Sequence, residues 1–268
     1  MGVIQVDGLA KSYGDVRAVD GLSFGVERGE VYGFLGPNGA GKTTTIRVLT
    51  GQIRPDSGTV RVLGTDPIAD PLETRRRVGI LPEQGSPPSF LTPREYLEFV
   101  GSVRNLEPDT VAERTDRWAT RLGFERKLDT LHTDLSRGQQ QKVMLTQAFL
   151  HEPDVVVIDE PLANLDPLVQ EQVKQFLVSY AAGDNAVFVS THNIDVAEEI
   201  CTRVGIVANG DLVTERSLES QTVPRSANSQ ASATGADDDE PLLEVFLEHV
   251  NETDVRDAPS LEQLGSEQ

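Results

Sequence analysis

Gly36-Pro37-Asn38-Gly39-Ala40-Gly41-Lys42-Thr43 satisfies the pattern G-x-x-x-x-G-K-[ST] in full. Glycines at these positions let backbone N–H groups turn inward around phosphate oxygens. The helix expected to follow presents its positive end to the same phosphates. Lys42 then supplies a point charge for the β and γ phosphates, and the Thr43 hydroxyl supplies a ligand for Mg²⁺. A second chemical element lies far along the chain. Asp159 and Glu160 follow the apolar run Val155-Val156-Val157-Ile158. Such a run ends at the sheet edge where ligands bind in open α/β folds. Asp159 is placed to hold the Mg²⁺ shell, and Glu160, one residue on, to polarise an attacking water. Ser190-Thr191-His192 ends another apolar run in the same way. His192 can contact a γ phosphate and keep water and Glu160 in line, although a histidine at a strand end is by itself often a polar cap.

Between these elements sits Leu135-Ser136-Arg137-Gly138-Gln139. Ser136 with Gln139 three residues later reads as a capping box before a helix from Gln140 to Leu150.

The elements that must position these groups are legible in the apolar patterning. Val31-Tyr32-Gly33-Phe34-Leu35 is a buried strand running straight into Gly36. A helix is expected over Thr43 to Thr50, with Gly51 as its stop signal. Val3 to Val26 and Thr59-Val60-Arg61-Val62-Leu63 read as short strands. From Pro87 to Leu150 the texture is helical, with Pro93 and Pro108 near helix starts. Val155–Ile158 and Ala186-Val187-Phe188-Val189 read as strands covered on both faces, and the helix Pro167 to Ala182 between them makes a βαβ unit.

Of the net charge of −19, the stretch from Ser217 onward carries −10, from 12 acids and 2 bases. That field disfavours nucleic acid and anionic lipid surfaces. Five lysines against nineteen arginines with an acid excess fit work in concentrated salt, and equally an ordinary acidic cytosolic protein. The single cysteine, Cys201, excludes an internal disulfide. No apolar run reaches the 18 residues of a membrane span, and the start lacks a signal pattern or a myristoylation motif, since Val6 stands where Ser or Thr is needed. Residues 217–240 read as an acidic low-complexity linker, and 241–268 as a short amphipathic segment (Leu242, Leu243, Phe246, Leu247, Val250) with a disordered tail.

Leu135-Ser136-Arg137-Gly138-Gln139-Gln140-Gln141 resembles the signature of ABC transporter ATPases, usually Leu-Ser-Gly-Gly-Gln. The rest of that family's order accompanies it. Tyr13 stands where such proteins stack the adenine, and Gln84 where a glutamine senses Mg²⁺ and water. Pro161 to Asp166 stands where a dimer-contact loop follows the acidic strand, with Ala163, Leu165 and Asp166 as its contacts. Asn209-Gly210-Asp211 resembles the closing turn of the core. The resemblance covers residues 1 to about 216. It implies an α/β P-loop core with a small antiparallel β subdomain and a helical signature subdomain at about 87–150. It implies an ATP site built from Tyr13, Gly36 to Thr43 and Thr44, with Gln84, Glu160 and His192 catalytic and with Thr43, Gln84 and Asp159 on Mg²⁺. It further implies a head-to-tail pair of ATPase subunits, in which Leu135 to Gln139 complete the partner's ATP site in trans, Ser136 and Gly138 on the γ phosphate. A separate membrane permease would hold the pair at the cytoplasmic face.

The stretches Ile46-Arg47-Val48-Leu49-Thr50-Gly51 and Arg54-Pro55-Asp56-Ser57-Gly58, with Leu243-Glu244-Val245-Phe246-Leu247, are similar to the exporter branch of the family. An importer subunit, a soluble family member acting on ribosomes or DNA, and a non-hydrolytic regulator are the competing readings. One core without heptads weighs against the second, and intact Lys42 and Glu160 against the third. Two departures stand out. Arg137 replaces the first glycine of the usual pair, as in several exporter relatives. Ala163, in Leu162-Ala163-Asn164-Leu165-Asp166, lacks the usual serine hydroxyl and so removes one contact in trans.

Overall fold

The computed structural model describes residues 2–83, 85–162, 164–218 and 241–248. The helical pattern and the apolar runs form, in order, β1 (Ile4–Tyr13), β2 (Val16–Val26), β3 (Val31–Leu35), α1 (Lys42–Leu49), β4 (Ser57–Val62), α2 (Pro71–Arg77) and β5 (Val78–Leu81). Then come α3 (Pro93–Val103), α4 (Pro108–Leu122), 3₁₀ turns at Glu125–Lys127 and His132–Asp134, and α5 (Arg137–Phe149). The chain continues through β6 (Val155–Asp159), α6 (Pro167–Ala182), β7 (Ala186–Thr191), α7 (Ile194–Ile200), β8 (Arg203–Ala208) and β9 (Asp211–Ser217).

Two sheets result. The smaller is antiparallel, with order β2-β1-β4; the larger runs β5-β6-β7-β3-β8-β9. All pairings of the larger sheet are parallel except β8 with β9. The first two strands are not the short pieces expected from their weak alternation. They span 10 and 11 residues, and register shifts between Val6 and Leu9 let pairing resume past each irregularity.

The continuous apolar runs are explained by burial on both faces. Tyr32, Phe34, Val155, Val157 and Phe188 join the antiparallel sheet in one core. Their alternate neighbours Val31, Leu35, Val156, Ile158, Val187 and Val189 join a second core with Trp118, Phe149 and Leu177 of the helices. In the first, Phe24, Tyr32, Phe34 and Phe188 interleave with ring centroids 5.3–5.9 Å apart. Each such side chain, fully buried, contributes about 1.5–3 kcal/mol. The helical stretch begins where the prolines indicated: Pro93 and Pro108 open α3 and α4.

Residues 242–248 form a short helix. Its buried face is Leu242 and Val245, with Phe246 packed partly against the same core, whereas Leu243 and Leu247 are exposed. The amphipathic segment is thus a helix, but its buried face differs from the apolar set expected, because Leu242, Val245 and Phe246 hold the i, i+3, i+4 spacing. Val250, the linker from 219 and the tail from 249 lie outside the described residues. No helix among the described residues is long and apolar enough to cross a membrane.

Strand register gathers the chemical residues. Leu35 pairs with Thr191 and Asp159 with Ser190, so β3, β6 and β7 deliver Gly36, Glu160 and His192 to one edge of the sheet.

Candidate functional site

At that edge lies a cleft of about 510 Å³ lined by Tyr13, Ala18, Asn38, Gly39, Gly41, Lys42, Thr43, Thr44, Glu83, Asp159, Glu160 and His192. The floor is the glycine loop. Gly41 caps α1 at φ 98°, and a side chain there would also meet the Ala18 carbonyl at 2.4 Å, so only glycine fits. α1 has no side-chain cap and no acid in its first turn, which leaves its leading N–H groups for an anion. Gly36 and Pro37 turn their carbonyls toward the Lys42 ammonium, at 2.7 and 2.9 Å. Ala40 is buried, and its amide closes the loop on the Pro37 carbonyl at 3.3 Å. Burial pulls the Lys42 pKa below the usual lysine value, opposed by the charges of Glu160, Asp159 and Glu83.

Asp159 is almost fully buried. One of its oxygens accepts a hydrogen bond from the Thr43 hydroxyl at 3.0 Å, and the other accepts from the Ser190 hydroxyl. Thr43 and Asp159, two of the three residues expected on Mg²⁺, are therefore in contact. The donor set is all oxygen, as hard cations require, and among the described residues no three His, Cys, Asp or Glu form a cage. One carboxylate and one hydroxyl beside a phosphate loop is what Mg²⁺ accepts, since it keeps waters and takes phosphate oxygens.

Glu160 leaves β6 with φ 52°, a left-handed backbone that costs a non-glycine residue of order 1 kcal/mol and persists where the surroundings enforce it. Its amide donates to the Ser190 carbonyl at 3.0 Å. That twist aims the carboxylate back at β7. One oxygen accepts from the His192 amide at 3.1 Å and sits 2.6 Å from His192 Nδ1; the other accepts from the Thr191 hydroxyl at 3.2 Å. Tyr13, at the end of β1, leaves 46% of its surface exposed at the rim, with Lys11 Nζ 5.8 Å from the ring centroid.

The signature segment lies elsewhere. Ser136 caps α5, and both halves of the capping box are made: Gln139 N–H to Ser136 Oγ at 3.3 Å, Ser136 N–H to Gln139 Oε1 at 3.0 Å. The helix therefore starts at Arg137, within the signature itself. Ser136, Gly138 and Gln139 line a second hollow of about 270 Å³ with Lys142, Asn164 and Asp166. A Cβ on Gly138 would lie 2.7 Å from the Asn164 carbonyl oxygen, so the signature and the loop after β6 touch backbone to glycine. Asp166 caps α6 through the Val169 amide at 3.1 Å, and Lys142 lies 3.7 Å from it. No residue lines both hollows.

Leu135 and Leu165 are buried in the core of their own chain and anchor their segments. Arg137 is exposed and lines neither hollow. Gln84 and Ala163 lie outside the described residues. Sequence reasoning passed over four contributors. Glu83, the neighbour of Gln84, carries no mark of its own in the sequence. Lys142 carried a usable signal, standing six residues after Ser136 on one helix. Asn164 was read only as part of a loop, and Ala18 is a small strand residue with no chemical mark.

The sequence pattern of the ABC transporter family matches residues 19–163. The chain is 35% identical over 208 residues to the Nod factor export ATP-binding protein I of Ralstonia nicotianae, covering 78% of this chain and 65% of that one. It is 34% identical over 212 residues to the daunorubicin/doxorubicin resistance ATP-binding protein of Streptomyces peucetius, covering 79% and 64%. The match thus spans less than two thirds of either relative. Among solved structures, an ATP binding subunit of an ABC transporter superposes with TM-score 0.75 at 30% identity, covering 81% of this chain and 90% of that chain.

Proposed function

The chain belongs to the ABC transporter family, and we propose that it is an ATP-binding and hydrolysing subunit that drives export through a separate membrane permease. The observation that carries this reading is the clasp of Glu160 by His192 and Thr191 in the cleft that also holds Lys42, Thr43 and Asp159. A base, a phosphate cradle and a cation seat share one site.

In the proposed reaction the adenine lies on Tyr13 and the phosphates on Gly36 to Thr44. Lys42 exchanges the Gly36 and Pro37 carbonyls for β and γ phosphate oxygens. Mg²⁺, when bound between Thr43 and Asp159, would screen the phosphates and draw charge off the leaving oxygen. Asp159 is held for that role by the Ser190 hydroxyl. Glu160 takes a proton from water as its oxygen attacks the γ phosphorus and ADP departs. His192 fixes the carboxylate through Nδ1 and its amide. Gln84 is proposed to sense the cation from the segment that brings Glu83 to the cleft.

The separation of the two hollows supports the head-to-tail reading. The helix start at Ser136 and Gly138 offers an anion site that no phosphate of its own chain's cleft serves, so a second copy would supply one. Asp166 would stand beside that contact, with Ala163 in the same loop. Opening after hydrolysis would move the permease, and the pair would sit at the inner face of the membrane through it. Export is supported by the names of the two relatives; the permease that co-purifies with the chain tests direction. The acidity of the chain supports no nucleic-acid partner.

Glu160→Gln tests the whole reading. It is expected to abolish Mg²⁺-dependent phosphate release while ATP still binds, and to trap an ATP-bound dimer measurable by light scattering. A variant that stays monomeric with saturating ATP would sink the shared-site reading.

A further inference from the structure

A buried histidine outside both hollows has a partner that links them. His132 opens the 3₁₀ turn His132–Asp134, four residues before Ser136, and is 4% exposed. Its Nε2 lies 2.8 Å from the Ser86 hydroxyl, and Ser86 stands three residues after Glu83, which lines the phosphate cleft. Two further contacts tie the same segments. The His132 amide donates to the Leu91 carbonyl at 3.0 Å. Gly85 packs so closely on Met144 of α5 that a Cβ would lie 2.8 Å from the methionine methyl. On the other side of the turn, Gln140 Nε2 donates to the Leu135 carbonyl at 3.1 Å, binding the turn to the signature helix.

One direction satisfies the most groups here. The Ser86 hydroxyl lies 3.3 Å from the Pro87 carbonyl, which can only accept. Both contacts are made at once when the hydroxyl donates to Pro87 and accepts from Nε2–H of a neutral imidazole, and this tautomer also avoids burying an unpaired Nδ1–H. That tautomer leaves Nδ1 with a bare lone pair, and Nδ1 is buried without a partner. An orphan acceptor of this kind costs about 1–3 kcal/mol. A leucine would fill the space without that cost but would lose the bond to Ser86. Burial also holds the His132 pKa below the usual histidine value, which keeps the ring neutral.

We infer that Ser86 and His132 are positioning residues: their hydrogen bond fixes the signature hollow relative to the segment that enters the phosphate cleft. The inference rests on the nucleotide reading of that cleft. From Glu83 to Ser86 the chain can span no more than about 11 Å, so a displacement at the cleft reaches the turn through few bonds. Without the Ser86 bond two links remain: the apolar packing of Gly85 on Met144, which has no preferred direction and lets the side chain slide, and the backbone bond at Leu91, eight residues from Glu83.

The test uses the full chain with Mg-ADP, at concentrations where light scattering shows a monomer, so that no partner protects the signature. Hydrogen exchange of the amides of residues 136–140 is measured with and without ADP, and ADP affinity by calorimetry. In the wild type, ADP is expected to slow exchange there by about threefold or more. Ser86→Ala removes only the hydroxyl; it should erase most of that slowing while ADP affinity stays within about twofold. Ser86→Thr keeps the hydroxyl and should restore the effect. In ATP turnover, Ser86→Ala should lower kcat with KM nearly unchanged. Slowing that survives in Ser86→Ala, is absent in the wild type, or fails to return in Ser86→Thr overturns the clasp. A wild type that does not bind ADP overturns the reading of the cleft itself, which separates the two failures.

Discussion

Replacing Glu160 by glutamine changes one oxygen to an amide and little else in shape, so its consequences can be worked out from the contacts. The oxygen facing His192 can remain, still accepting from the amide at 3.1 Å and from Nδ1 at 2.6 Å. The new NH₂ faces the Thr191 hydroxyl, now 3.2 Å away, which can accept as well as donate. Charge-assisted bonds become neutral ones, a loss of about 1 kcal/mol each where they are shielded. Relief of repulsion against Asp159 and Glu83 in the same cleft offsets part of that loss. The net change should be about 1–2 kcal/mol, a fall of roughly 2–8 °C in Tm for a folded part of this size. Catalysis suffers far more, because an amide cannot take the proton from water. Loss of a general base lowers the rate by about 10²–10⁴, equivalent to about 2.7–5.4 kcal/mol of barrier. The assay is phosphate release from Mg-ATP, with ATP affinity followed by calorimetry. Retention of more than about a tenth of the wild-type rate would falsify the assignment of Glu160 as base.

Lys42→Ala should weaken ATP binding by at least about tenfold, since it removes the cation that Gly36 and Pro37 hold in the loop; unchanged affinity in calorimetry would remove Lys42 from the site. Gly138→Ala would gain up to about 1 kcal/mol of helix propensity, but its Cβ meets the Asn164 carbonyl at 2.7 Å. Overpacking against backbone costs about 1–3 kcal/mol, so urea unfolding should show a net loss, and a gain would mean the loop yields freely. His151 sits with Nε2 3.3 Å from the Val78 carbonyl, and burial first, then the nearby Arg104 charge, pulls its pKa down to about 3. Because the folded value lies below the unfolded one, the native state binds fewer protons. The contribution is present in full above about pH 6.5 and is lost as pH falls toward 3. At pH 4.5 the wild type should have lost about 2–3 kcal/mol more than His151→Gln relative to pH 7; equal losses by urea titration would refute this.

Much of the site was legible because its chemistry is local. The glycine loop needs consecutive backbone amides, so its residues are consecutive in sequence. Asp159 and Glu160 are neighbours for the same reason: a strand ending at the sheet edge presents both. The capping box Ser136–Gln139 also arises from spacing alone. By contrast, Glu83 stayed without a role because nothing local marks it, and the pairing of Ser86 with His132, 46 residues apart, has no sequence pattern at all. The face of the helix at 242–248 was misread because two turns of helix hold too few residues to fix a direction, and packing chose Val245 over Leu243.

The sequence by itself determined the buried strands β3, β6 and β7, the βαβ order, the phosphate loop and the identity of the acids, because periodicity and backbone chemistry act over a few residues. Tertiary structure decided which of these groups meet. The register of β6 against β7 brought Ser190 to Asp159 and His192 to Glu160. The twist at Glu160 aimed its carboxylate at β7 rather than along β6. The approach of the loop after β6 to Gly138 made a second hollow that shares no residue with the first. Those are contacts between distant stretches, fixed by how two cores pack on the two faces of one sheet, and no short-range pattern in the chain encodes them.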